Sequence, residues 1–483
     1  MLTESEILFF INEDQTSARQ TIANVGRKYY EGNHDILNYR MFYFNSDGVL
    51  VEDKTRSNIK ISHPFFTELV DQEVQYMLSN PSGCFVRSDI PELQNRLDEY
   101  FDEDYVAELE ETMTDAVSSG FSYMFAYKGK DDRFHFENAG SAGVVEVRAK
   151  ETDDKCEYVI YHYLDRIAKT NKQIKKIQVW DSEKTTFYVQ EDDGKLIFDD
   201  SETINPRPHV IYKKDGDDSI YYEDFGFIPF FRLDNNKKQI SGIKPIKDLI
   251  DDYDLMSCGL SNNLADFDHP IYVVKGFQGD NLDELQMNLK TKKMIGVDSS
   301  GGVESQTINV PHEARKTKME IDEKNIYRFG MGFNSSQVGD GNITNIVIKS
   351  RYALLDMKCN KFEIKVKQFM KKILKVVLQE INKKDETDYD LSDVYFDFTR
   401  EIMTNASDNA TIEKTDAEKH QIQITTLLSL NGIIDDETII KIICEILEID
   451  YEEIKSKLPK PEDETETDDA IKLLNDSGGD PVE

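Results

Sequence analysis

The sequence predicts an α+β fold organised in several domains. Three observations lead there: helical periodicity over roughly the first 118 residues, a run of short aromatic and β-branched segments from Phe121 to Phe231, and a return to helices that ends in one very long one.

In the first part, Phe66, Leu69, Val70 and Met77 share one side of a helix over 64–78, and a second helical stretch opens on Pro91 and runs over 91–117. Strands are expected over 121–127, 144–148, 157–164, 174–180 and 185–190, separated by turn residues. A helix over 243–267 starts at Gly242 and Pro245, and Asp248, Asp251, Asp252 and Asp254 follow in its first turns, where the helix dipole favours acids. Ile246, Leu249, Tyr253, Met256, Leu260, Leu264 and Phe267 form its apolar stripe, and His269-Pro270 ends it. A compact insert comes next, with strands over 271–277, 294–297 and 303–310, a short helix near 282–289 and a turn over 299–302. It is too small to bury a core, so its strand edges are expected to pair with another chain.

A mostly polar helix over 312–329 loosens at Gly330 and Gly332. The segment Asn334, Ser335, Ser336, Gln337, Val338, Gly339, Asp340, Gly341 and Asn342 then reads as an exposed loop. The last long helix begins near Thr344 and reaches about Lys384, roughly 60 Å at 1.5 Å per residue. Its apolar residues, among them Leu355, Phe362, Val366 and Phe369, follow the alternating four-three spacing of a coiled-coil seam, which suggests packing between subunits. Its other faces carry Lys349, Arg351, Lys358, Lys361, Lys365, Lys367, Lys371, Lys372 and Lys375, a basic rod in an acidic chain. After it come a strand over 394–399, helices over 410–430 and 436–447, and an acidic tail from Pro461 whose composition predicts disorder.

Several short runs, in this order, resemble the portal proteins of tailed phages with long non-contractile tails that infect Gram-positive bacteria. They are FIPFFRLDNN at 227–236, IKDLIDDYD at 246–254, PIYVV at 270–274 and RYALLDMK at 351–358, joined by NPRPH at 205–209 and FTR at 398–400. The specificity lies in their number and collinear order, and the resemblance covers roughly residues 29–450. It implies the portal fold: a wing over 1–241, a stem helix over 242–267 with Asp248, Asp251, Asp252 and Tyr253, a clip over 268–311 and a second stem helix over 312–333. A tunnel loop over 334–343, a long wing helix with its return strand over 344–403 and a crown over 404–460 would complete it, ahead of the tail over 461–483. The function implied is a ring of about twelve copies at one capsid vertex. It would be the conduit for double-stranded DNA during packaging by the terminase motor, DNA retention and ejection, and it would join head to tail. The implied partners are further copies of the chain, the terminase large subunit, major capsid and scaffolding proteins and a head-completion adaptor. The implied location is the virion, with assembly in the host cytoplasm.

The composition fits that reading. The 483 residues carry a formal charge of −35, which argues against a broad phosphate-gripping surface and suits either solubility or channel walls that do not adhere to a moving polyanion. The five scattered cysteines suggest a reducing compartment without disulfides. The N-terminus lacks a leader-like pattern, and no stretch approaches the roughly 18 apolar residues of a membrane helix.

No phosphate loop, H-E-x-x-H or G-x-S-x-G is present, so neither an enzyme nor a cofactor or metal is expected. Gly330-Met-Gly332 lacks the third glycine of a dinucleotide motif. Asp248, Asp251, Asp252 and Asp254 could be imagined as a two-metal nuclease site, but acids at a helix start read instead as a dipole-matched solvated face. The eight histidines have no partners at metal spacing. The lysines of the rod invite a DNA-binding reading; the favoured one is a cationic back facing acidic neighbours. The alternative to a portal is an acidic scaffold or minor head protein that translocates no DNA.

Overall fold

The computed structural model describes residues 2–80, 85–150, 156–167, 172–191, 194–213, 220–267, 271–277, 281, 283, 285, 297–306, 311–334, 345–400, 406–429, 436–446 and 451. The chain divides into two compact units, residues 1–340 with 350–402, and residues 341–349 with 403–483.

The first unit opens with α1 (Glu4–Thr16) and α2 (Ala18–Tyr30). Thr3 begins α1 with a capping box closed by Glu6, and Ser17 caps α2 through the amide of Gln20. An exposed hairpin of β1 (Phe42–Phe44) and β2 (Leu50–Glu52) follows, absent from the sequence reading because its strands are three residues each. Helices α3 (Phe65–Met77), α4 (Pro91–Tyr100) and α5 (Glu103–Ser119) come next, with the short β3 (Val86–Arg87) between the first two. Gly120 ends α5 at φ +100, and a Cβ there would collide with the Gln239 backbone, so only glycine fits.

Strands β4 (Phe121–Lys128) and β5 (Phe134–Asn138) form a three-stranded antiparallel sheet with β14 (Phe230–Asp234). A larger antiparallel sheet runs in the order β10-β9-β8-β7-β6, built from β6 (Val144–Val147), β7 (Tyr158–Ile167), β8 (Lys172–Trp180), β9 (Lys184–Gln190) and β10 (Leu196–Phe198). β11 (Arg207–Pro208) pairs with β9, and β12 (Val210–Lys213) with β13 (Ile220–Glu223). Helix α1 covers one face of the larger sheet, where Ile7 and Ile11 meet Val145, Ile160, Ile177 and Tyr188.

Then follow α6 (Lys247–Phe267), the hairpin β15 (Ile271–Phe277) and β16 (Val297–Gln306), α7 (His312–Gly330), α8 (Asn345–Asp385) and β17 (Tyr395–Phe396), which pairs with β3. Residues 299–302, expected as a turn, lie within β16 and largely coincide with its irregularity: between the pairs Lys275–Gly302 and Phe277–Val297 the residues 298–301 bulge out opposite Gly276 alone, which sits at φ +66. Among the described residues the hairpin contributes nothing to the buried apolar clusters. The short helix expected near 282–289 and all but the last residue of the expected strand 294–297 lie outside the described residues, apart from positions 283 and 285.

The main core is built on α8. Leu355, Cys359, Phe362, Val366, Phe369, Ile373 and Val377 are buried with Phe66, Leu69, Val70 of α3, Leu93 and Leu97 of α4, and Leu109 and Met113 of α5. This corrects one expectation. Leu355, Phe362, Val366 and Phe369 are each at most 2% exposed within a single chain, so the seam assigned to packing between subunits closes inside its own subunit. A four-three spacing shows that a stripe is buried, and leaves open against what.

In the second unit, α9 (Ala406–Ser429) and α10 (Asp436–Ile446) contact each other, and Ile439 and Cys444 of α10 are buried. The tail from 461 lies outside the described residues. No described helix is long and apolar enough to cross a membrane.

Candidate functional site

The acids of α6 are the most informative group. Helices α6 and α7 run antiparallel, since Asp252 pairs with Lys318 while Gly259, later in α6, lies beside Arg315, earlier in α7. Lys318 also meets Asp322, 2% exposed, at 2.5 Å. On the opposite side Asp251 accepts from Lys247 at 2.6 Å and from the Tyr29 hydroxyl. Lys247 reaches Asp35 at 2.7 Å as well and lies over the Tyr29 ring. Burial opposes its charge, but these hydrogen bonds hold its pKa above the ordinary lysine value.

Asp254 is the centre of the arrangement. Its side chain is fully buried, and His34 and His63 each approach it through Nδ1 at 2.7 Å, one per carboxylate oxygen. The backbone N–H of His63 donates to it at 3.0 Å. His34 stacks on Tyr29, and His63 and Phe65 each pack edge-on against Tyr253, with ring centroids 4.8 Å apart. Burial alone would raise the Asp254 carboxyl, yet the hydrogen bonds from the two histidines hold it below the usual carboxylate range.

The reading of these acids as a solvated, dipole-matched face is therefore corrected. Asp248 is exposed, but Asp251, Asp252 and Asp254 fasten α6 to the segment before α3 and to α7. His34 and Asp254 are 220 residues apart, so spacing in the sequence carried no signal for the pair. Among the described residues no group of His, Cys, Asp and Glu is arranged to hold a metal ion.

Of the loop singled out in the sequence, only Asn334 is described, and its amide donates to Glu323 at 3.0 Å. Ser335, Ser336, Gln337, Val338, Gly339, Asp340, Gly341 and Asn342 lie outside the described residues. Immediately before the loop, Phe333 is tied to Gln72 of α3 and stacks on Tyr352 of α8 at 4.9 Å.

The basic rod splits into two classes. Lys358 meets the buried Glu73 at 2.9 Å, Lys367 meets Glu363, Lys383 meets Glu223 and Lys384 meets Glu380. Lys361, Lys365, Lys371, Lys372 and Lys375 have no carboxylate partner among the described residues; Lys365 reaches only the Gln368 amide oxygen, at 3.3 Å. They lie on the outward face of α8 with Leu354, Met357 and Ile364, which are 40%, 51% and 58% exposed. The acidic neighbours expected for Lys361 and Lys365 are thus not within the described part of this subunit.

The runs that carry the family resemblance hold the frame together. Arg400 of FTR pairs with Glu363 and with Asp356 of RYALLDMK, the latter at 2.9 Å. Arg232 of FIPFFRLDNN holds Asp234 and Glu146, and its neighbours Asn235 and Asn236 donate to the Ile240 carbonyl. Asn205 of NPRPH binds both backbone groups of Phe187, and His209 stacks on Trp180.

Comparison with known proteins points to the same family as these motifs. The family model described as phage portal protein, SPP1 Gp6-like, matches residues 8–457. The portal protein of Bacillus phage SPP1 is 26% identical over 344 residues, 71% of this chain and 66% of that protein's length. The portal protein of Clostridium phage phiCD119 is 24% identical over 409 residues, 78% of this chain and 85% of that protein. A solved structure described as the neck of a native GTA particle computed with C12 symmetry aligns over 79% of this chain and 89% of its own, with 11% identity and a TM-score of 0.36, too low to carry an argument about fold. With the family match running through the sheets, the α6-hairpin-α7 segment, the long helix and the second unit, this chain belongs to the SPP1 Gp6-like family of phage portal proteins.

Proposed function

We propose that the chain is the non-enzymatic subunit of a ring of about twelve copies, placed at one vertex of a phage head. Double-stranded DNA would pass through the ring, driven inward by the terminase motor, which would supply all ATP hydrolysis, and later released towards the tail. The observation that carries this reading is the family match over residues 8–457. In this ring α6 and α7 are the stem, the β15-β16 hairpin the clip, the sheets with α8 the wing, and residues 404–460 the crown. A hairpin without a core of its own suits docking to terminase and then to a head-completion adaptor, since its strand edges remain available. The outward face of α8 suits a neighbouring subunit, because it combines large apolar side chains with lysines that no described carboxylate of the same chain neutralises.

Electron microscopy of the purified chain at raised concentration is expected to show annular particles with a central hole, and native mass spectrometry closed oligomers near twelve copies. Only monomers and dimers across salt and concentration would favour the scaffold or minor head protein.

Residues 334–343 are proposed as the tunnel loop. Asn334, Ser335, Ser336, Gln337 and Asn342 offer neutral hydrogen-bonding groups to phosphate, which touch a moving backbone without the deep, salt-dependent well that Lys or Arg creates. Deleting Ser336 to Gly341, or introducing Ser336→Lys with Gln337→Lys, is expected to leave rings intact while heads package or retain less DNA. Full heads with normal retention from both variants would remove the loop from the mechanism.

A further inference from the structure

A cavity of about 650 Å³ lies where α2 meets β7 and β8, and its chemistry is unlike the rest of this acidic chain. Arg27, His162 and Lys175 line it together with the amides of Gln15, Gln20 and Asn24, and among the described residues no carboxylate does. In a sequence with 93 Asp and Glu against 58 Lys and Arg, a pocket walled by cations and neutral donors is a departure from the prevailing charge.

The strand register explains how these groups come together. His162 faces Ile177 and Leu164 faces Lys175 across β7 and β8, so His162 and Lys175 lie on the same face of the sheet, one residue pair apart. Arg27 arrives from α2. It is held only by neutral oxygens: the Ser141 hydroxyl, Asn24 Oδ1 at 2.5 Å and Gln20 Oε1 at 3.4 Å. The side chain of Lys175, half-buried, has no hydrogen-bond or ion-pair partner among the described residues. His162 is 9% exposed, and its Nε2 has no partner either. The carboxylates close enough to act on these groups are turned to other donors. Asp14 is taken by Arg19 and by Gln20 Nε2 at 2.9 Å, Asp115 by Asn138 Nδ2 at 2.8 Å, and Glu31 by Asn33 Nδ2 at 3.1 Å.

We infer that this cavity is a binding site for a small oxyanion, held by Lys175 and Arg27 with His162 in its wall. Withdrawing cations and an imidazole from water without a negative partner is unfavourable, and an anion between them would restore what burial removes through charge-assisted hydrogen bonds. The titration behaviour agrees. Burial lowers the pKa of Arg27 and Lys175, and burial together with the Lys175 charge holds the His162 imidazole down to about 4. The inference goes beyond the portal reading and does not depend on it.

The full-length chain should be titrated with sodium sulfate, and in a separate arm with sodium acetate, at ionic strength held constant with chloride, following heat release and the thermal midpoint. Saturable binding is expected, with affinity reduced at least tenfold in Lys175→Gln and kept within about threefold in Lys175→Arg. The Lys175 side chain has no hydrogen-bond or ion-pair partner among the described residues, so both variants should fold normally, which their circular dichroism checks. Saturation by sulfate assigns a tetrahedral oxyanion, and saturation by acetate alone a carboxylate. A response no different from that to chloride, or a saturable one unchanged by Lys175→Gln, would mean an adventitious ion only and would overturn the site.

Discussion

Replacing Asp254 by alanine is expected to destabilise the first unit by about 3–5 kcal/mol, the range for removing one partner from a buried polar pair. The carboxylate is fully buried and receives both imidazoles and one backbone N–H. Each such bond to a charged acceptor contributes roughly 1.5–3 kcal/mol, and its loss leaves the fully buried His34 imidazole stranded out of reach of water. Asp254→Asn keeps one good acceptor and is expected to lose about half as much. Urea denaturation of the full chain, followed by tryptophan fluorescence and circular dichroism, measures both.

The effect also has a pH signature. The folded pKa of Asp254 lies below its unfolded value, so its contribution is complete above the unfolded value of about 3.9 and is lost as pH falls through the depressed folded one. The stability gap between wild type and Asp254→Asn should therefore hold near neutrality and close only below about pH 4. A gap that is small at pH 7 would show that the two histidines find other acceptors and that α6 is anchored elsewhere.

The second large effect is expected from reversing Lys361, Lys365 and Lys372 together to Glu. Exposed ion pairs contribute about 0.2–1 kcal/mol each. Three of them at one subunit contact amount to roughly 0.6–3 kcal/mol, and reversal replaces attraction by repulsion. Because that term recurs at every contact of a closed ring, the concentration needed for assembly should rise at least tenfold, most visibly at low salt, where charges are least screened. Sedimentation velocity across a salt series reads this directly. A variant that assembles normally but loses measurable affinity for duplex DNA would reassign the face of α8 to nucleic acid.

Much of the fold was legible in the sequence, for a definite reason. Strand alternation and helical stripes record which side of an element is buried, and they placed β4, β6, β7, β8 and β9 and the long helix to within a few residues of their observed bounds. The hairpin β1-β2 escaped because three-residue strands carry too little alternation to register. The turn expected over 299–302 from Gly301 and Gly302 falls largely on residues 298–301, which bulge from β16, while Gly276 opposite them at φ +66 carried no signal, since glycine marks a backbone need without saying which.

By itself the sequence determined the order of most of the longer elements, the family and the absence of any familiar catalytic motif, since each depends on local pattern or on motifs in series. Only the tertiary structure decided what each charged or apolar side chain meets. It turned the seam of Leu355, Phe362, Val366 and Phe369 into the subunit's own core, and the acids Asp251, Asp252 and Asp254 into fastenings of α6. It also separated the lysines of α8 into those with partners and those without, and gathered Arg27, His162 and Lys175 around one cavity. Periodicity fixes the face of an element. The partner of that face comes from chain segments tens to hundreds of residues away, and their meeting is settled by packing, on which the local pattern is silent.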